Sequence, residues 1–181
     1  MNNPQGVALY AESIMNLYME MELSYMPLEN YMDKQDDLNW EMREILCEWL
    51  LEVHHKYKLV DEVIFLSLSV VDRYLSQVKI KRDHLQLLGI AALLIASKYE
   101  EIYPPSLQKF LYLCQESYTR GEVLALEGEI LKKLDFKLCG PSANKFFERI
   151  AEICKMNEKS KMIGKMAIYL SLLDRTLLKF R

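Results

Sequence analysis

The sequence predicts an all-α fold, and three observations carry that prediction. Apolar residues recur every three or four positions along most of the 181 residues, which is the period of an amphipathic helix. Only six glycines and five prolines interrupt the pattern. The run from Leu85 to Ala96 is apolar on every side except at Gln86. Because a helix that is apolar all round is buried all round, this run predicts a central core helix.

Composition limits the classes of partner and compartment. A net charge of −3 gives no overall attraction to nucleic acid or to an anionic membrane, and the longest apolar run is shorter than the roughly 20 residues of a membrane span. The first residues, MNNPQG, lack the basic and apolar regions of a signal peptide. The four cysteines lack zinc-site spacing, which predicts reduced thiols in an intracellular protein without a metal.

The first helix is predicted at residues 7–25, and the polar, acidic segment 28–39 predicts a connecting loop. A second helix follows at 40–58, with Asp37 or Asn39 as its N-cap. Its apolar positions are too many for one packed face. The helix therefore either lies between two neighbours or exposes part of its apolar surface as a groove.

Three more helices are predicted at residues 61–76, 83–99 and 106–114. The second of them, the central helix, must end before Pro104 and Pro105, because proline cannot continue a helix.

Thr119 and Glu122 form a capping box, which predicts a helix from there to Leu134. Two final helical patterns occupy 143–156 and 159–180. The segment LSVVDRYL at 68–75 returns as LSLLDRTL at 170–177, which indicates a repeated unit, although apolar helices can match by chance.

Four segments in order resemble a cyclin: MREILCEWLLEV at 42–53, VVDRYLS at 70–76, LQLLGIAALLIASKYEEIYPP at 85–105 and LALEGEILKKLDF at 124–136. The KYEEIYPP ending is closest to the A and B mitotic types. The resemblance implies an N-terminal helix and linker at 1–37, a five-helix first cyclin box at 38–138, and two helices of an incomplete second box at 139–181. The chain is then a fragment, a natural short form, or one whose kinase partner or second copy covers the gap.

The resemblance implies a non-catalytic regulatory subunit that binds and activates a cyclin-dependent protein kinase in G2/M cell-cycle control, without a cofactor, in the nucleus and cytoplasm. Lys98 and Glu127 correspond to a family pair that hydrogen-bonds main-chain groups of the kinase. An internal salt bridge is the alternative role for that pair. The apolar kinase contacts implied around it are Ile14, Ile95, Leu131, Phe136 and Leu138.

A second surface resembles the family patch that docks Arg-x-Leu segments of substrates and inhibitors. The matching residues are Met42, Ile45, Leu46, Trp49, Glu52, Leu85 and Gln86. Glu52 would pair with the arginine and the apolar residues would hold the leucine. Glu44 and Glu48 depart from the family pattern and make this helix more acidic. Arg43 and Asp72 resemble a structural pair inside the box, since an interior arginine requires a carboxylate.

Four alternatives remain. A G1 or viral-type cyclin is the nearest, and a truncated chain that competes for the kinase is the second. A cyclin-fold transcription factor that binds DNA needs a basic face, whereas acids outnumber bases here by 26 to 23. An enzyme is disfavoured because no nucleophile triad, metal cluster or phosphate-binding glycine loop is recognisable.

Overall fold

The computed structural model describes residues 10–115 and 117–179, and within them it contains eight α-helices, three short 3-10 helices and no strand. The α-helices are α1 (Ala11–Tyr25), α2 (Trp40–Tyr57), α3 (Asp61–Leu75), α4 (Leu85–Glu100), α5 (Leu107–Leu113), α6 (Arg120–Lys133), α7 (Ala143–Ile153) and α8 (Glu158–Ser171). The 3-10 helices span Tyr31–Lys34, Arg82–His84 and Arg175–Lys179. The all-α prediction is confirmed.

The centre of the fold is α4, as the sequence predicts. Every residue from 85 to 97 is buried except Gln86, and α4 packs mainly on α3 and α6. It also contacts α2 at Gly89, where an added Cβ would lie 2.7 Å from Leu46 Cδ1. The missing side chain therefore lets α2 approach the central helix closely.

Side-chain caps fix where four of the described helices begin: α2, α6, α7 and α8. The Asn39 side chain accepts a hydrogen bond from the Met42 N–H at 2.9 Å, so Asn39 rather than Asp37 is the N-cap of α2. At the start of α6, Thr119 Oγ1 accepts from the Glu122 N–H and the Glu122 carboxylate accepts from the Thr119 N–H. The predicted capping box is confirmed.

The structure corrects the prediction that residues 28–39 form only a loop. The 3-10 helix Tyr31–Lys34 lies in this segment, and both Tyr31 and Met32 are buried. The Tyr31 hydroxyl donates to Asp72 in α3 at 2.6 Å. An aromatic ring in a polar segment thus anchors the linker to the core.

The prediction of one final helix over 159–180 is wrong, because α8 ends at Ser171. The Leu172 carbonyl accepts a hydrogen bond from Arg43 Nη1 at 3.1 Å, and Asp174 accepts from the Thr176 N–H and hydroxyl. These bonds hold the chain in a turn. Asp174 is consequently exposed, whereas its counterpart Asp72 in the sequence echo is buried.

Other helix limits shift by smaller amounts. The central helix begins at Leu85 rather than at Asp83, which belongs to the preceding 3-10 helix, and α7 ends at Ile153 rather than at Met156. The predicted start of the first helix at 7–9 and the predicted end of the last at Phe180 lie outside the described residues.

The first turn of α3 holds the two later helices against the first five-helix bundle. Glu62 accepts from the Ser142 hydroxyl at 2.7 Å and from Asn144 Nδ2 at 2.9 Å, at the start of α7. Asp61 accepts from Lys165 and Tyr169 of α8, both at 2.8 Å. The division at 138/139 stays a prediction. In the described part of the chain, no helix is long and apolar enough to cross a membrane.

Candidate functional site

Lys98 and Glu127 come together where the C-terminal end of α4 meets α6. Lys98 Nζ lies 2.7 Å from Glu127 Oε1 and 2.9 Å from Oε2. The Lys98 side chain is 49% exposed, whereas that of Glu127 is 12% exposed. The glutamate is thus fixed in the protein, and the ammonium group remains accessible at the surface for a further acceptor.

The segment after Lys98 adds exposed apolar surface whose residues were not among the predicted kinase contacts. Tyr99, Ile102 and Tyr103 are 47%, 87% and 90% exposed. Glu101 fixes this segment, because its carboxylate accepts from the Val60 N–H at 2.7 Å. The sequence does contain a sign of this surface. The large side chains within KYEEIYPP lie just before the prolines and fit no helical packing pattern.

Tyr99 is a neutral hydrogen-bonding group in this surface. A hydrogen bond with the Cys139 thiol and partial burial raise the pKa of Tyr99 to about 12. Its hydroxyl therefore stays protonated at neutral pH and can donate to a partner.

Phe136 extends the exposed surface on the side of α6. Its side chain is 68% exposed, and both Asp135 and Phe136 have a positive φ of 53°. Bulky residues rarely adopt this left-handed conformation, which costs about 1–2 kcal/mol per residue. The Phe136 N–H donates to the Leu131 carbonyl at 2.9 Å, which helps to hold the turn. Strain at an exposed aromatic residue is typical of a functional surface.

The remaining predicted kinase contacts differ in accessibility. Leu131 and Leu138 are partly buried. Ile14 is exposed on α1, where it lines a groove against α7. Ile95 is only 3% exposed, so it supports the surface from inside the core instead of forming it.

The predicted docking patch lies on α2 and the start of α4. Ile45 is 60% exposed, Glu52 is exposed, and Met42, Trp49 and Gln86 are partly buried.

Leu46 and Leu85 of the same patch are only 5% and 7% exposed. These two leucines form the buried floor under the patch. The accessible part is an apolar strip on α2 centred on Ile45.

An acidic ridge runs along this strip. We define it as Glu44, Glu48 and Glu52, which are all exposed. Their four-residue spacing places them in one row on α2, and Glu48 and Glu52 lie three positions after Ile45 and Trp49, respectively. The ridge gives the patch a negative electrostatic potential that favours basic segments.

Arg43 and Asp72 form a bidentate ion pair in the interior. Arg43 Nε and Nη2 each lie 2.7 Å from an Asp72 oxygen, and the two residues are 1% and 3% exposed. Burial lowers the pKa of Arg43, but Asp72 raises it by more than burial lowers it. The net pKa is therefore above its usual value. With the bonds from Tyr31 and to Leu172, this pair connects the linker, α2, α3 and the end of α8.

No metal or thiol chemistry stands out in this part of the molecule. Among the described residues, no group of three or more His, Cys, Asp and Glu side chains is arranged to hold a metal ion. Burial raises the pKa of the Cys47 thiol to about 12 and that of Cys114 to about 11, so both thiols stay protonated at neutral pH.

A solved structure shares this fold. The X-ray structure of a viral cyclin from herpesvirus saimiri matches with a TM-score of 0.81 and 24% sequence identity, over 91% of this chain and 73% of that chain. At this identity the match supports the fold alone.

Curated relatives are similar in sequence over most of the chain. The G2/mitotic-specific cyclin-A of Drosophila melanogaster is 44% identical over 168 residues, which cover 93% of this chain and 34% of that protein. The G2/mitotic-specific cyclin cdc13 of Schizosaccharomyces pombe is 39% identical over 178 residues, which cover 98% of this chain and 37% of that protein. The chain thus spans little more than a third of these relatives.

The family model described as "Cyclin, N-terminal domain" matches residues 13–139. This match runs from the third residue of α1 past the end of α6 and includes every residue of both predicted surfaces. With mitotic cyclins of the A and B types as relatives, the chain belongs to the cyclin family.

Proposed function

We propose that this chain is a non-catalytic regulatory subunit that binds and activates a cyclin-dependent protein kinase of the G2/M type. The observation that carries the proposal is the Lys98–Glu127 pair beside an exposed apolar surface, in a chain of the cyclin family. Because the chain spans only part of its relatives, their activity is carried over as a proposal. We place its action in the nucleus and cytoplasm.

The surface suits a docked helix of the kinase. Tyr99, Ile102 and Phe136 offer apolar area whose burial favours association, and such desolvated aromatic positions dominate protein interfaces. Lys98 can donate to a kinase carbonyl and Glu127 can accept from a kinase N–H. Binding activates the kinase if this surface fits its active helix position better than its inactive one.

The patch on α2 is proposed to recruit Arg-x-Leu segments. The leucine would contact Ile45 and Trp49, and the arginine would pair with Glu52. The acidic ridge adds Glu44 and Glu48, so segments with further basic residues should dock more tightly at low salt.

The test is a titration of a purified mitotic-type cyclin-dependent kinase with the 181-residue chain, followed by kinase activity and by co-elution on a sizing column. We expect a one-to-one complex and activation. The double variant Lys98→Ala/Glu127→Ala should weaken binding by at least about tenfold, since charged interface hydrogen bonds contribute about 1.5–3 kcal/mol each. Circular dichroism should show unchanged helical content.

The matched control is Asp36→Ala/Lys79→Ala, which removes another lysine–carboxylate pair. Lys79 Nζ lies 2.8 Å from Asp36, and both side chains are well exposed. This control should bind as the unmodified chain does. Equal affinity of the two double variants would refute the assigned surface, and binding without activation would favour the competitor instead.

A further inference from the structure

Arg73 is a buried cation without a buried anion. It lies in α3 and is 7% exposed. Its Nη1 donates to the Lys137 carbonyl at 2.8 Å, and its guanidinium lies 4.8 Å from the centre of the Tyr25 ring. Within the described residues it makes no ion pair with a carboxylate. Arg43, by contrast, is held by Asp72 through two bonds.

This arrangement leaves the charge of Arg73 uncompensated. Burial lowers the pKa of Arg73, and the nearby Tyr25 opposes this effect. An isolated buried charge is unfavourable unless an anion or several acceptors surround it. A guanidinium has five N–H donors, so most of them remain free for a ligand.

A cavity of about 320 Å³ adjoins Arg73 where α1, α3 and α6 all end. Two further cations, Lys133 and Lys137, line it, together with the polar residues Ser24, Ser76 and Gln77.

The cavity also has one acid, Asp135, which is 82% exposed and lies 3.4 Å from Lys137 Nζ. Three cations thus face one solvent-exposed carboxylate, so the cavity has a net positive charge.

We propose that this cavity binds the phosphoryl group of a phosphate monoester. Such a group carries about −1.5 to −2 charge at neutral pH and three acceptor oxygens. The planar guanidinium can bond two of the oxygens, and the two lysines can approach as point charges. A carboxylate, with one negative charge, would neutralise less of the site. The site does not include Lys98 or Glu127, although Asp135 and Lys137 flank Phe136 of the proposed kinase surface.

Two sources share this chemistry: a phosphorylated serine or threonine in a protein segment, and a free phosphate ion. The probes are therefore the peptide Ala-Ala-phosphoSer-Ala-Ala and inorganic phosphate, with the Glu and Ser versions of the peptide as references. The readout is the NMR signal of the Arg73 Nε–H group in the full chain. We expect a saturable shift with the phosphopeptide and at least about tenfold weaker binding of the Glu peptide.

The variant Lys133→Ala/Lys137→Ala keeps Arg73 and changes two exposed side chains. It should bind the phosphopeptide at least about tenfold more weakly. The control Lys79→Ala/Lys132→Ala removes the same charge from lysines that do not line the cavity, and it should bind as the unmodified chain does.

The absence of an Arg73 shift with either probe up to about 10 mM, well above a 1 mM dissociation constant, would overturn the proposal. Equal affinity of the two lysine variants would also overturn it. If the phosphopeptide binds more tightly than inorganic phosphate, the ligand is a phosphorylated protein segment. If the two bind equally, the site is supported and its ligand is free phosphate.

Discussion

Two arginines lie inside the first helical bundle in different electrostatic surroundings. Arg43 donates to Asp72 and to the Leu172 carbonyl, and Tyr31 donates to the same Asp72 carboxylate. Arg73 instead contacts a carbonyl and an aromatic ring. The charge of Arg43 is balanced by a carboxylate, whereas Arg73 has no carboxylate partner among the described residues. A buried, balanced pair allows a clear prediction about stability, because removing one partner leaves the other buried and unpaired.

The substitution Asp72→Asn keeps the size of the side chain and removes its charge. Arg43 would then be a buried cation without a counter-ion, and the Tyr31 hydroxyl would lose a charged acceptor. We expect the free energy of unfolding in urea to fall by about 3–5 kcal/mol.

The matched control for that experiment is Asp36→Asn. Asp36 also accepts from a cation, Lys79, but its side chain is 77% exposed. Exposed pairs contribute about 0–1 kcal/mol, so this variant should unfold near the unmodified chain. A similar loss in both variants would mean that Asp72 has no special structural role.

At the residue scale, family motifs in the sequence were sufficient to pair Lys98 with Glu127 and Arg43 with Asp72. They did not reveal that Phe136 has a left-handed backbone, because no glycine marks the turn. They also did not indicate that Arg73 lacks an acid. The first depends on the turn after α6, where the Phe136 N–H bonds to the Leu131 carbonyl, and the second on which side chains surround α3.

At the scale of an element, the carboxylate of Asp61 makes the polar part of the contact between α3 and α8, beside the packing of Phe65 on Tyr169. Burial raises the pKa of Asp61, but its hydrogen bonds from Lys165 and Tyr169 lower it more, so the net pKa is below the usual value. A carboxyl group with a lowered folded-state pKa stabilises the protein above its unfolded-state pKa, near 3.9. This stability is lost as the pH falls through the lower folded-state value.

We therefore expect stability to decline from about pH 5 downward, with a part that belongs to Asp61. The variant Asp61→Asn should be less stable at pH 7 and should show a shallower decline below pH 5. Urea unfolding at a series of pH values measures both slopes. Parallel curves for the two proteins would mean that Asp61 does not hold α8 through its charge.

The packing of α2 on α4 depends on Gly89. A Cβ at this position would meet Leu46 Cδ1 at 2.7 Å, so Gly89→Ala forces the Leu46 side chain to move. Overpacking of this kind costs about 1–3 kcal/mol, and here the loss is partly offset by the higher helix propensity of alanine. We expect a lower urea midpoint and a disturbed floor under the docking patch.

Gly128 in α6 is the matched control, since an added Cβ there meets no atom within 4 Å. Gly128→Ala should raise the free energy of unfolding by about 0.5–1 kcal/mol. If Gly89→Ala stabilises the chain by the same amount, the close contact with Leu46 is not restrictive.

At the element scale, the spacing of apolar residues and the punctuation between them predicted the eight described α-helices, and the Thr119/Glu122 motif predicted the capping box of α6. It did not predict the 3-10 helix Tyr31–Lys34, because one buried tyrosine has no periodic pattern. The end of α8 at Ser171 was also missed, since it depends on a bond from Arg43, far away in the sequence. Local period determines helices, and long-range hydrogen bonds determine where several of them stop.

At the scale of the whole molecule, α7 and α8 differ from the first bundle. Large apolar side chains on them are exposed, including Ile153, Met162, Ile163 and Met166 at 62–75%. The two helices are nevertheless fixed to α3 by the carboxylates of Asp61 and Glu62. Apolar contacts add to this attachment, because Ile168, Tyr169, Leu172 and Leu173 pack against the core of the first bundle.

The two surfaces share only α4, at its opposite ends, which predicts separable effects on kinase activity. The patch is centred on Ile45 of α2, whereas the other surface belongs to the ends of α4 and α6. Ile45 is 60% exposed, so Ile45→Ser removes apolar contact area with little effect on the core. Distant sites act additively when they share no partners.

We expect Ile45→Ser to slow phosphorylation of Arg-x-Leu substrates by roughly 5- to 30-fold, the equivalent of 1–2 kcal/mol of lost apolar burial. Short peptide substrates without that segment should be phosphorylated at the original rate, because kinase binding at Lys98 and Glu127 is intact. Lys98→Ala/Glu127→Ala should reduce both rates together. Equal slowing of both substrates by Ile45→Ser would show instead that α2 supports kinase binding and that the two surfaces are one.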